Sequence, residues 1–88
     1  MSSMRLVFSS NGVRPLSSLR EGTHARIVDV RASGGPSDRL LALGVTSGAL
    51  VTVMQTFPGV VFLCDQTELA VERDVADAIF VRTLDVTS

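Results

Sequence analysis

The amino-acid sequence predicts a mainly β domain, a small and highly curved barrel of about five antiparallel strands with one short α-helix inserted after the first. Three observations lead there. The stretch from Arg39 to Val53 reads as a helical turn, two glycine-punctuated turns and a strand in direct succession. Short alternating or apolar runs recur through the rest of the chain, each bounded by turn residues. With 88 residues, 45% of them apolar, there is material for one core and no more. An open sheet of this size would leave its edges bare, so a closed curve is expected.

Taken in order, residues 1–14 contain Ser-Ser twice and the turn pair Asn11-Gly12, and they read as an N-terminal tail or short extra strand before a domain over residues 15–86. Residues 15–22 resemble a single helical turn, with Ser18 and Glu21 at capping-box spacing and Gly22 closing it. The first strand follows, burying Ala25, Ile27 and Val30 and leaving His24, Arg26 and Asp29 in solvent. After the loop Ser33-Gly34-Gly35, Pro36 suits the first position of a helix running to Leu43. Ser37 and Asp38 sit in its first turn, which favours the positive helix end. Gly44 then stands where a left-handed cap is needed.

Past the turn at Gly48, residues 49–56 alternate as a strand, and Pro58-Gly59 fits the centre of a type II turn leading into an apolar strand over residues 60–64. Asp65-Gln66-Thr67 turns the chain into a fourth strand at residues 68–71. A polar helical turn at residues 73–78 precedes the fifth, Ile79-Phe80-Val81.

Composition excludes several function classes. The eight basic residues are all arginine, scattered singly among nine acids for a formal charge of −1, and there is no basic stripe. Four Phe with no Trp and no Tyr supply no stacking platform, so no nucleic-acid partner is expected. No apolar run approaches the roughly 20 residues of a membrane span, and Leu6-Val7-Phe8 is too short for a signal-peptide core. The lone Cys64 cannot form an internal disulfide, which agrees with a reducing compartment. The expectation is a cytoplasmic protein without membrane insertion.

An enzyme is not expected either. His24 and Cys64 are the sole members of their types, Cys64 ends an apolar run where a buried, inert thiol is ordinary, and the carboxylates are dispersed. No CxxC or paired histidines mark a zinc site, so no intrinsic cofactor is expected. His24 with Glu21, three residues apart across Gly22, is the best candidate for a divalent metal such as Fe2+ or Zn2+, and then only with ligands from a second molecule. Gly34-Gly35 precedes a helix but lacks the Lys-Ser/Thr of a phosphate loop.

The inserted helix is the candidate binding surface. Leu40 and Leu43 share a face, whereas Leu41 projects about 100° away from Leu40. Two readings stand: the helix caps the barrel and buries all three leucines, or Leu40 and Leu41, with Val45 nearby, form an apolar patch oriented by Arg39.

Two sets of residues resemble a known family. Leu16-Ser17-x-Leu19-x-x-Gly22-x-x-Ala25-Arg26-Ile27-Val28-x-Val30 is followed by Arg39-Leu40-Leu41-x-Leu43-Gly44-Val45-x-x-Gly48-x-x-Val51-x-Val53, and both resemble the FeoA family of ferrous iron transport accessory proteins. The tail, Thr67-x-Leu69-Ala70-Val71 and Asp74-x-Ala76-x-x-Ile79-x-Val81, looks like that family's closing strand, helical turn and strand. The resemblance covers residues 15–81. It implies an SH3-like barrel, a cytoplasmic location and a non-catalytic accessory role beside the FeoB membrane transporter, which carries a GTPase domain. It places the contact with the transporter's cytosolic region at Arg39, Leu40, Leu41 and Val45, with Gly44 and Gly48 holding the geometry. The module also occurs as the C-terminal domain of DtxR-type metal-dependent repressors, whose other domains this chain has no room for. The chain departs from the pattern in a short segment between residues 53 and 67 and in its N-terminal extension.

Two rival functions remain in view. A conventional SH3 adaptor grips polyproline with aromatic side chains that this chain lacks. A metal-bridged or metal-sensing module would self-associate through His24 and neighbouring acids, making a homo-oligomer.

Overall fold

The computed structural model describes residues 12–32 and 34–84. Six strands form one antiparallel sheet: β1 (Val13–Pro15), β2 (His24–Val30), β3 (Leu50–Gln55), β4 (Val60–Cys64), β5 (Thr67–Val71) and β6 (Ile79–Thr83). A 3-10 turn at Leu16–Ser18 follows β1, α1 (Gly35–Ala42) joins β2 to β3, and the single turn α2 (Arg73–Ala76) joins β5 to β6. The strand order is β1-β6-β2-β3-β4-β5, so hydrogen bonding is continuous except between the two outer strands, β1 and β5. This is the mainly β, SH3-like barrel with an inserted helix that the sequence predicts, with a short sixth strand at the N-terminal end.

One face of every strand from β2 to β6 enters a single core. Ala25 and Ile27 come from β2, Val51 and Val53 from β3, Val60, Phe62 and Cys64 from β4, Leu69 from β5, and Ile79 and Val81 from β6. Leu16 of the 3-10 turn, Leu19 just after it, and Leu40 and Val45 of the helical segment complete it. Phe62 is its largest fully buried side chain, and truncating it to alanine removes about 3–5 kcal/mol of packing.

Two breaks in register explain where simple alternation fails. The pairing of β2 with β6 shifts between Ile27 and Asp29, so one extra residue lets Val28 and Asp29 both face solvent and returns Val30 toward the core, half-buried. β3 shifts against β4 between Val53 and Gln55 in the same way, so that Met54 and Gln55 both face solvent.

Two local expectations are corrected. Ser18 and Glu21 form no capping box: Ser18 Oγ donates instead to the Pro15 carbonyl at 2.8 Å, because the turn ends at residue 18 and Glu21 lies beyond it. Nor does Gly22 close that turn: it lies in a separate turn, where Thr23 donates to the Arg20 carbonyl, with a φ of 87° and its own N–H on the Val53 carbonyl at 2.7 Å. Pro58-Gly59 does not form a type II turn, since Gly59 has no positive φ. Gly59 is needed for a different reason: a Cβ there would lie 3.0 Å from the Val71 carbonyl oxygen. The N-terminal segment contributes the short strand β1, Val13–Pro15. Residues 1–11 and 85–88, including Asn11 and the expected C-terminal boundary, lie outside the described residues.

Candidate functional site

α1 begins after Gly34, whose φ of 71° suits glycine, and takes Pro36 as its second residue, where a missing N–H costs no helical bond. Asp38 in the first turn complements the positive helix end. The C-terminus closes as a Schellman motif. Gly44, at φ 92°, donates its N–H to the Leu41 carbonyl at 3.0 Å, and Val45 donates to the Leu40 carbonyl at 2.9 Å. That motif brings the residue after the glycine against the third residue before the cap. Leu40 and Val45 are that pair, and both are buried.

The geometry divides the residues named from the sequence. Leu40 and Val45, at 3% and 2% exposure, are core residues and cannot offer an apolar patch, which corrects the expected surface. Leu41, at 63%, and Leu43, at 43%, stand in solvent, and Arg39 is exposed. The reading in which all three helix leucines are buried is likewise overturned. A capping glycine followed by a valine was the signal in the sequence that could have assigned Val45 to the core.

Arg39 and Leu43 line one wall of a groove of about 420 Å³, and Leu69, Val71 and Val75 line the other, with Glu72 on the rim. The second wall comes from β5 and α2, far along the chain, so no local pattern points to it. The loop after the helix is held to β2 by four bonds, one of them from the Ile27 N–H to the Ala49 carbonyl at 2.9 Å. Gly48, at φ 96°, donates to the Ile27 carbonyl at 2.7 Å, Arg26 Nη1 donates to the Gly48 carbonyl at 3.2 Å, and Ser47 Oγ donates to the Val28 carbonyl at 3.0 Å.

His24 lies elsewhere, on β2, beside a second hollow of about 580 Å³ that Leu50, Leu63, Asp65 and Leu84 also line. Its Nδ1 shares a 2.9 Å hydrogen bond with Thr52 Oγ1. Glu21 is exposed in the preceding turn, and no group of three or more His, Cys, Asp or Glu side chains among the described residues could hold a metal. Cys64 is buried with its Sγ 3.6 Å from the Gly44 carbonyl. Burial, and secondarily the negative charge of Asp65, push its thiol above the ordinary value, the opposite of an activated nucleophile. No helix among the described residues is long and apolar enough to cross a membrane.

Comparison with known proteins agrees with this architecture. The family model of the FeoA domain matches residues 14–83. A FeoA protein from Chlorobium tepidum is 28% identical with a TM-score of 0.77, over 84% of this chain and 73% of that one. An iron uptake regulatory protein, FeoA, is 24% identical with a TM-score of 0.74, over 82% of this chain and 99% of that one. A manganese-dependent transcriptional repressor shares the fold at 18% identity and a TM-score of 0.75, with this chain spanning 42% of it. No curated protein matches the sequence significantly. With the FeoA model matching nearly the whole barrel, the chain belongs to the FeoA domain family, a family of non-catalytic accessory domains associated with ferrous iron transport.

Proposed function

We propose that this chain is a non-enzymatic, cytoplasmic accessory protein of ferrous iron uptake that docks through α1 on the cytosolic region of an FeoB-type transporter and biases its conformations. The observation that carries the reading is Leu41, 63% exposed on a helix whose C-terminus is closed by the Schellman motif. A leucine held rigidly in water gains about 1.5–3 kcal/mol when a partner covers it, with little ordering cost left. Leu43 and Arg39, one apolar and one cationic, extend the surface into the groove.

The test is capture of the transporter's cytosolic region by the purified protein, with and without guanine nucleotide. Leu41→Gln should fold normally, lose capture about tenfold or more and lower ferrous iron uptake. Equal capture by wild type and Leu41→Gln removes α1 as the contact.

A second reading rests on His24, whose bond to Thr52 engages Nδ1 and leaves Nε2 without a hydrogen bond among the described residues. A metal-bridged self-association would then appear as a mass increase with Fe2+ or Zn2+ that His24→Ala abolishes.

A further inference from the structure

The sheet has two edges, and they differ. β1 is three residues long, carries Arg14 and ends on Pro15, which has no N–H to donate; a short strand with a charge and a proline is a blunted edge. β5 is five residues long, has neither proline nor lysine, and bears one charged side chain, Glu68. An edge of this kind is a template for another strand.

Its inner neighbour determines which backbone groups are free. Asp65 and Gln66 alone join β4 to β5, and Cys64 faces Thr67 as the closing pair. In a two-residue hairpin the closing pair exchanges both its hydrogen bonds, so alternation along the ladder makes Phe62–Leu69 and Val60–Val71 bonded pairs too. Glu68 and Ala70, opposite Leu63 and Val61, therefore turn their N–H and C=O groups outward. Neither has a backbone partner on that side among the described residues. Both side chains are exposed, so nothing of their own covers the edge.

We infer that the β5 edge is a self-association surface, in which β5 of a second copy pairs antiparallel with this one about a two-fold axis at Leu69. Charge selects that register. A two-fold at Glu68 sets Glu68 against Glu68 of the second copy, and one at Ala70 sets Glu68 against Glu72; like charges directly opposite are unfavourable. A two-fold at Leu69 sets Glu68 against Ala70 in both directions, and these are the two residues whose backbone groups are free. Each such pair exchanges two hydrogen bonds. Thr67 then faces Val71, and Leu69 faces Leu69 as a non-bonded pair, the closer kind, on the core side beside the groove that Leu40, Leu43 and Val75 line. The same five residues supply both the free groups and their complement, which is why a second copy is the occupant. Leu41 takes no part in this contact, although Arg39 and Leu43 of α1 face β5 across the same groove, so Leu41→Gln and Ala70→Glu separate the two surfaces.

The experiment is sedimentation of the full chain over a wide concentration range, comparing wild type with Ala70→Glu and Ala70→Lys. Ala70 is exposed and its N–H points away from β4, so both variants keep the fold, checked by circular dichroism. The wild type is expected to dimerise with concentration. Ala70→Glu places two carboxylate pairs across the axis and should weaken the dimer about tenfold; Ala70→Lys meets Glu68 twice and should hold or tighten it. Two results overturn the inference: wild type and Ala70→Lys both monomeric up to millimolar concentration, or a dimer that neither substitution moves. An edge that instead accepts an extended segment of another protein gives the first of these results.

Discussion

Neighbouring residues on α1 have opposite fates. Leu40 is locked under the Schellman cap while Leu41 stands in solvent, although the two are adjacent and chemically identical. Leu40→Ala should therefore cost about 2–5 kcal/mol of stability and Leu41→Gln less than about 0.5 kcal/mol, as denaturant titration would show. Cys64 gives a pH dependence. Burial raises its thiol above the ordinary 9.0, so the unfolded chain loses that proton first as pH rises. The stabilisation is complete below the unfolded value and is lost as pH climbs through the folded one. Unfolding measured from neutral to alkaline pH should show stability falling above about pH 9, with Cys64→Ala flattening that part of the curve.

At the scale of elements, glycine placement does the work that the capping residues of longer helices do elsewhere. Gly44 reverses the chain after α1 and Gly48 reverses it again into β3, each with a positive φ. Gly44→Ala meets no atom within 4 Å but must hold a left-handed backbone. It should lower the thermal midpoint by the equivalent of about 1 kcal/mol without changing the fold, measurable by calorimetry. The strands were legible because alternation and turn residues mark them independently of context. The bulges at Val28 and Met54 were not, since an inserted residue is defined only by what its partner strand offers.

For the molecule as a whole, one core shared by all the strands from β2 to β6 implies a single cooperative unfolding step. Surface electrostatics contributes little: the one ion pair among the described residues, Arg31–Asp29 at 2.9 Å, is exposed at both ends. The sequence by itself determined the class of fold, the order of the strands from β2 to β6 along the chain and the capped helix between β2 and β3, because hydrophobic period and glycine position act over a few residues. It also carried the family resemblance through those same positions. Which helix leucine faces water, which side chains of β5 and α2 close the groove opposite Arg39, and which edge of the sheet stays open were decided only by the tertiary structure. Each depends on elements some thirty residues apart meeting in space, and burial is a property of that meeting rather than of any local pattern.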